Sequence, residues 1–378
     1  MASAESRMRV VRGSAPVSLA LPSPSRRLAG GPSLSRGGRG DFPYPSHPRG
    51  KGAMLVFILR RLAQSAVVVV AMSVLVFAGI FAIGNPIDVL ISPEADEFER
   101  AAAIARLGLD RPMHEQFMRF VESAVGGDLG TSFVHGVPAL GLVLQRFPAT
   151  LELALCAMLV AVVLGIPLGV WAGLKPDSMA GRVIMTGSIL GFSLPTFWVG
   201  MMLIMAFAVT LGWLPAGGRG ETAGLFGVQW SFLTADGLAH LILPAVNLAL
   251  FKLSLVIRLA RAGTREVALQ DYVKFARAKG LAPSRVVGVH ILKNIMIPVV
   301  TVLGLELGSV IAFSVVTETV FAWPGMGKLL IDSILHLDRP VVIAYLLVTV
   351  LLFVVINLLV DLVYSLLDPR IRLSGGRA

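Results

Sequence analysis

The chain has 378 residues, of which 55% are hydrophobic and 15% charged, and its mean hydropathy is +0.79. Soluble domains carry about 25% charged residues, so lipid is the solvent of much of this chain, and a disordered protein, a collagen or a disulfide scaffold is excluded. The single cysteine, Cys156, rules out an intrachain disulfide and a cysteine-based zinc site, and the net charge of +10 sits mostly in residues 1–53, where nine Lys/Arg and two acids give +7, so the nearly neutral remainder does not read as a nucleic-acid surface.

In chain order, residues 1–53 come first. They are rich in Arg, Ser, Pro and Gly and lack the apolar stretch of a signal peptide, which predicts a disordered basic extension. At Met54 the character changes abruptly to an apolar run, so Met54 is the expected native start, with 1–53 an upstream extension; a basic arm on anionic lipid is the functional alternative.

A helix spans the hydrocarbon with about 20 apolar residues. Six segments qualify: Ala66–Ile83, 150–173, 183–211 (interrupted at Pro195), 239–260, 295–317 and 341–366. Placing both termini in the cytoplasm puts 24 Lys/Arg in the inside segments and 8 in the outside ones, so the expected topology is N-in, C-in. The expected organisation is a first span with an extracytoplasmic helical segment over 54–149, a core of five spans over 150–372, and a tail at 373–378. The outside segment 85–149 carries nine acids against five bases and reads as two amphipathic helices, Glu97–Leu107 and Met113–Val125. The inside segment 258–294 continues the fourth span as a basic helix.

Within the spans, Gly165, Gly169 and Gly173 recur at four-residue spacing, as do Gly187 with Gly191 and Gly304 with Gly308. Such stripes let helix backbones approach closely, within a chain or between chains. Pro167, Pro195, Pro244 and Pro298 permit kinks. Lys252, Glu306, Asp361 and Glu152 are the intramembrane ionisable groups, each a functional candidate by default. Glu152 and Asp361 lie near span ends and are expected to reach water. Glu306 is better placed to face a cavity, and a Lys252–Glu306 pair across the fourth and fifth spans is one arrangement open to them.

Catalytic motifs are missing from the sequence. The nearest string to a phosphate-binding loop, Pro324-Gly325-Met326-Gly327-Lys328-Leu329, lacks the leading glycine and the final Ser/Thr. The six histidines are scattered, no metal-ligand cluster stands out, and no nucleophile–base set can be drawn, so no catalytic residues and no metal are expected. Energy-coupled transport by this chain therefore needs a motor on another chain.

The segment 258–294 holds eight Lys/Arg and two acids, with Ala276 and Gly280 four residues apart on one face of a short helix. It is either a positive-inside loop lying on the membrane or a docking helix, with Ala276 small enough to admit a partner and the following Gly280 letting the chain turn. AlaArgAlaLysGlyLeu at 276–281, followed by HisIleLeuLysAsnIleMetIlePro at 290–298, resembles the cytoplasmic loop of binding-protein-dependent ABC transporter permeases. The chain departs from the general motif at Lys274 and Phe275 and has an 18-residue Gly-to-Pro gap, features similar to the dipeptide/oligopeptide/nickel branch. GlyLeuAspArgPro at 108–112, GlyAspLeuGlyThrSer at 127–132, ArgPheProAlaThrLeuGluLeuAla at 146–154, SerLeuProThrPheTrp at 193–198 and GluThrValPheAlaTrpProGlyMetGly at 318–327 follow in the order of that branch.

The resemblance implies an all-α membrane protein of type I ABC importer permease architecture in a bacterial or archaeal cytoplasmic (inner) membrane. It implies half of a translocation pore for di- or oligopeptides, completed by a second, distinct permease. Two cytosolic ATPases would bind ATP and Mg²⁺, leaving no cofactor in this chain, and an extracytoplasmic binding protein would deliver substrate. Relatives in the branch also carry nickel chelates, glutathione or oligosaccharides. The expected coupling loop is 261–294, with Asp271, Tyr272, Ala276, Arg277, Ala278, Lys279, Gly280 and Leu281 at its centre. Pro195, Glu306, Glu318, Pro324, Gly325 and Gly327 are the pore or gate candidates, Pro324, Gly325 and Gly327 shaping a tight turn before a short helix at Ile331–Leu335. A stand-alone channel or secondary carrier is the rival reading; it predicts flux without ATP.

Overall fold

The computed structural model describes residues 51–82, 96–107 and 110–367. The expected terminal segments 1–50 and 373–378 lie outside the described residues. Lys51–Ala53, assigned to the tail by composition, are instead the first turn of a helix, α1 (Lys51–Ala82). The two amphipathic helices follow as α2 (Glu97–Leu107) and α3 (Met113–Val125), with the bounds expected of them. Pro112 precedes α3, and past Gly126 the helix ends at Gly127, whose φ of 80° is left-handed. Phe117 and Phe120 of α3 hold Phe77 of α1, with ring centroids 5.3 and 5.8 Å apart.

The long helices are α4 (Ala139–Leu174), α7 (Ala235–Ala268), α9 (Lys293–Val320) and α11 (Arg339–Leu367). Between α4 and α7 lie α5 (Met179–Ser193) and α6 (Thr196–Leu203), the latter running on as a wide π turn over Ile204–Thr210. Between α7 and α9 lies α8 (Asp271–Ala278), and between α9 and α11 lies α10 (Met326–Leu335). Among the described residues, five helical segments are long and apolar enough to cross a membrane, and α5 with α6 make a sixth only as a broken pair. The third expected span is thus not one rod. Pro195 has no N–H to continue the ladder and the chain bends by 108° at the break. The described residues are all-α apart from one small antiparallel hairpin, Ala223–Leu225 (β1) with Val228–Trp230 (β2). Its two-residue turn has φ of 54° at Phe226 and 77° at Gly227, the left-handed pair that matches strand twist.

The most extensive packing in the chain is the seam between α4 and α7. A Cβ placed on Gly165 would stand 2.8 Å from Val256 Cβ, on Gly169 2.6 Å from Ala260 Cβ, and on Gly173 2.7 Å from Thr264 Cβ. The stripe meets its partners at matching four-residue steps, so the glycines serve packing within the chain. Gly304 and Gly308 do the same for Val360 and Phe353 of α11, while a Cβ on Gly187 would meet nothing within 4 Å. Two apolar cores result. One gathers Val143, Leu153, Leu241, Trp323, Met326 and Tyr345 where α4 and α11 begin. The other gathers Val256, Val273, Ala276, Val286, Ile291 and Ile295 near α8. The 34-residue α7 runs from the first core to the second, so the hairpin loop and α8 occupy opposite ends of the bundle.

Candidate functional site

At one end, α8 is an eight-residue helix laid against the end of the bundle. Val273 (0% exposed) and Ala276 (4%) face inward against α7 and the segment Val286–Leu292. Tyr272 and Phe275 face out at 44% and 61% exposure. Asp271, Lys274, Arg277, Ala278 and Lys279 share the exposed side, and the Lys279 ammonium lies 4.6 Å from the Phe275 ring centre. The helix closes when the Gly280 N–H donates to Arg277 O (2.9 Å) and the Leu281 N–H to Ala276 O (3.3 Å). That pair of bonds requires a left-handed residue, and Gly280 supplies it at φ +74°. One expectation changes: Ala276 is buried against its own chain, so its side chain is not open to a partner. Gly280 turns the chain, the role expected of it; a Cβ there would meet nothing within 4 Å, so its backbone angle is what calls for glycine.

At the opposite end, three buried carboxylates tie the loops to the helices. Glu318, fully enclosed near the end of α9, accepts hydrogen bonds from Thr150 Oγ1 and Ser314 Oγ (both 2.8 Å) and from the Lys328 N–H (3.0 Å). Thr150 Oγ1 accepts in turn from the Met326 N–H at 2.8 Å. A carboxylate at the first turn of α10 also suits the helix dipole. Gly325 and Gly327 exist for this contact: a Cβ on Gly325 would enter the Glu318 carboxylate, and one on Gly327 would stand 2.6 Å from Val315 Cα. Trp323, fully buried beside them, donates to Ala149 O at 2.9 Å. The short helix expected at 331–335 is the end of the longer α10.

Glu152 does not reach water, contrary to its position near a span end. Its Oε2 takes the Arg219 Nη2 at 2.7 Å, and its Oε1 takes the Ser231 and Phe232 N–H groups at 2.6 and 2.9 Å. Burial holds because every lone pair facing the loop is used. Asp338 accepts from Ser132 Oγ and from the Phe133 N–H (3.1 Å), fixing the 127–132 motif to the start of α11. A cavity of about 320 Å³ opens beside these groups, lined by His135, Arg146, Pro324, Lys328, Asp332 and His336 among others.

In mid-bundle, the Lys252 ammonium of α7 donates to Glu306 Oε2 and to Ser309 Oγ (2.8 Å) of α9, so the two charges are indeed a pair. The pore candidates are therefore dispersed. Pro195 starts α6, Glu306 sits mid-bundle, and Glu318, Pro324, Gly325 and Gly327 belong to the knot at the loop end. Arg219 was missed altogether. Its signal was present, because it is the lone Lys/Arg in the loop 212–238 and Glu152 is an acid in an apolar run. Among the described residues, no three His, Cys, Asp or Glu side chains gather as a metal site requires.

Two family profiles of binding-protein-dependent transport systems match the chain: the inner membrane component over residues 165–373, and the N-terminal part of the membrane component over 54–154. The di/tripeptide transport system permease protein of Pseudomonas aeruginosa is 43% identical over 337 residues, covering 84% of this chain and 99% of that protein. The oligopeptide transport system permease protein of Bacillus subtilis and the glutathione transport system permease protein of Escherichia coli are each 38% identical over 320 residues, with the same shares covered. The chain belongs to the family of binding-protein-dependent transport system inner membrane components, and it is a membrane-spanning permease of the ABC importer class.

Proposed function

We propose that this chain forms half of the transmembrane pathway of an ATP-driven importer of short peptides, with both termini in the cytoplasm. The second half is a distinct permease of the same kind. Two cytosolic ATPases, which hold ATP and Mg²⁺, grip the exposed side of α8, and an extracytoplasmic binding protein delivers cargo at the hairpin-loop end. The observation that carries this reading is α8 itself: an eight-residue helix that buries Val273 and Ala276 in its own chain and turns Tyr272, Phe275, Arg277 and Lys279 outward. Exposed aromatic rings flanked by cations are what a protein partner buries, and the excess of Lys/Arg over acids in this segment puts it in the cytoplasm. Peptide cargo is supported by the di/tripeptide and oligopeptide permeases among the relatives. The glutathione permease keeps a modified tripeptide as the second reading.

The test is reconstitution of the purified complex in liposomes. Uptake of a labelled dipeptide that needs ATP and the binding protein supports the reading; uptake by this chain alone without ATP favours a stand-alone carrier. Within the complex, Phe275→Ala with Tyr272→Ala is expected to leave the membrane part folded while ATP hydrolysis no longer drives uptake.

A further inference from the structure

Lys252 is the 18th of the 34 residues of α7, and Glu306 the 14th of the 28 of α9, so the pair lies at mid-span in both helices. Ionised groups at that depth are costly in hydrocarbon. A pair that only joined two helices would be enclosed on all sides; this one is enclosed on one. The Lys252 side chain is 8% exposed, whereas that of Glu306 keeps 30%. Lys252 and Ser309 both donate to Glu306 Oε2, and no described residue donates to Oε1. The open side continues onto Phe251 of α7, whose ring centre is 5.3 Å from the Lys252 ammonium. Phe251 stacks at 4.6 Å on Phe192 of α5, and the Arg258 guanidinium covers Phe192 at 4.7 Å. Both rings are exposed, at 36% and 44%. A carboxylate oxygen with free lone pairs is untenable against lipid and ordinary against water.

We propose that the face carrying Phe192, Phe251, Lys252, Glu306 and Ser309 lines the aqueous path of the cargo, and that the free oxygen of Glu306 is a mid-membrane station for an ammonium or other N–H donor. Under the function proposed above, on which this rests, the free amino end of a short peptide is the fitting chemistry. The aromatic rings beside it offer a second, sequence-tolerant contact for the same cationic group.

The test uses the whole reconstituted complex with Cys156→Ala, so that an introduced thiol is unique in this chain. Ser309→Cys changes little in volume and sits against the Glu306 carboxylate. The thiol is expected to react with charged, membrane-impermeant methanethiosulfonate reagents during ATP turnover, and modification is expected to lower dipeptide uptake roughly tenfold. A thiol that stays unmodified while the complex imports dipeptide overturns the path assignment and leaves the proposed function standing. A complex with native Ser309 that imports no dipeptide removes the proposed function first, and this inference with it. A second variant removes both charges together, Lys252→Met with Glu306→Leu, so that no unpaired ion is left behind. It is expected to assemble and to hydrolyse ATP when the binding protein is added, with dipeptide uptake down about tenfold. Undiminished uptake by this variant reduces the pair to a helix contact and overturns the station.

Discussion

The two ends of this helix bundle are held by different forces. At the hairpin-loop end, Glu152, Glu318 and Asp338 are each almost wholly buried and each accepts several hydrogen bonds from loop backbone or side chains. At the other end, α8 rests on Val273 and Ala276 and leaves its aromatic rings bare. Directional bonds specify one geometry, while a small apolar footprint tolerates sliding. One end is therefore fixed by directional bonds, and the other by a small apolar footprint.

The contrast can be broken most forcefully at Glu152. Arg219→Met should leave an enclosed carboxylate without its cation and cost about 3–5 kcal/mol. The unfolding midpoint of the detergent-solubilised protein reads this, and Glu152→Met added to Arg219→Met should restore much of the loss. A midpoint unmoved by the single change would mean that the loop end is not locked by charge. Next in size is the seam. Gly169→Val must displace Ala260 and the Ile257 carbonyl, each 2.6 Å from an added Cβ, at a cost of about 1–3 kcal/mol on the same readout. Gly280→Ala sharpens the other side of the comparison. It meets no neighbour, so only the left-handed backbone counts, about 1–2 kcal/mol, and the effect should appear as faster hydrogen exchange confined to α8. Smallest in stability is Phe275→Ala, within about 0.5 kcal/mol, yet it should separate ATP hydrolysis from uptake. If it instead lowers the unfolding midpoint as Arg219→Met does, the two ends are not built differently.

What the sequence disclosed depended on how far each interaction reaches along the chain. Span positions, the bounds of α2 and α3, and the extension of α7 into a basic helix follow from local hydropathy, Pro/Gly punctuation and Lys/Arg counts. Pro195 announced an interruption, but the 108° bend depends on what α6 lands on: Gly200 sits where a Cβ would be 3.0 Å from Val320 and 3.2 Å from Phe321. The Glu152–Arg219 link bridges 67 positions; each residue stands out in its own segment, but no local pattern joins the two. Spacing placed Ala276 and Gly280 on one face of a short helix, but helical periodicity cannot say whether that face meets its own chain or a neighbour. The Lys252–Glu306 pair was left by the sequence as one open arrangement of two opposite charges in apolar runs, and the structure makes it. Its one-sided exposure was not legible, since exposure is a property of the assembled helices.

The seam between α4 and α7 has a mechanical corollary. At 1.5 Å per residue, their 36 and 34 residues make rods about 54 and 51 Å long, riveted to each other at Gly165, Gly169 and Gly173. Two beams fastened in this way swing together. A tilt of roughly 10° about one tip carries the far tip about 9 Å, given the rod length. Under the function proposed above, a pull on α8 would be carried along both rods to the hairpin-loop end, with a stroke set by helix length. Deleting whole turns from α7 should shorten the stroke in proportion.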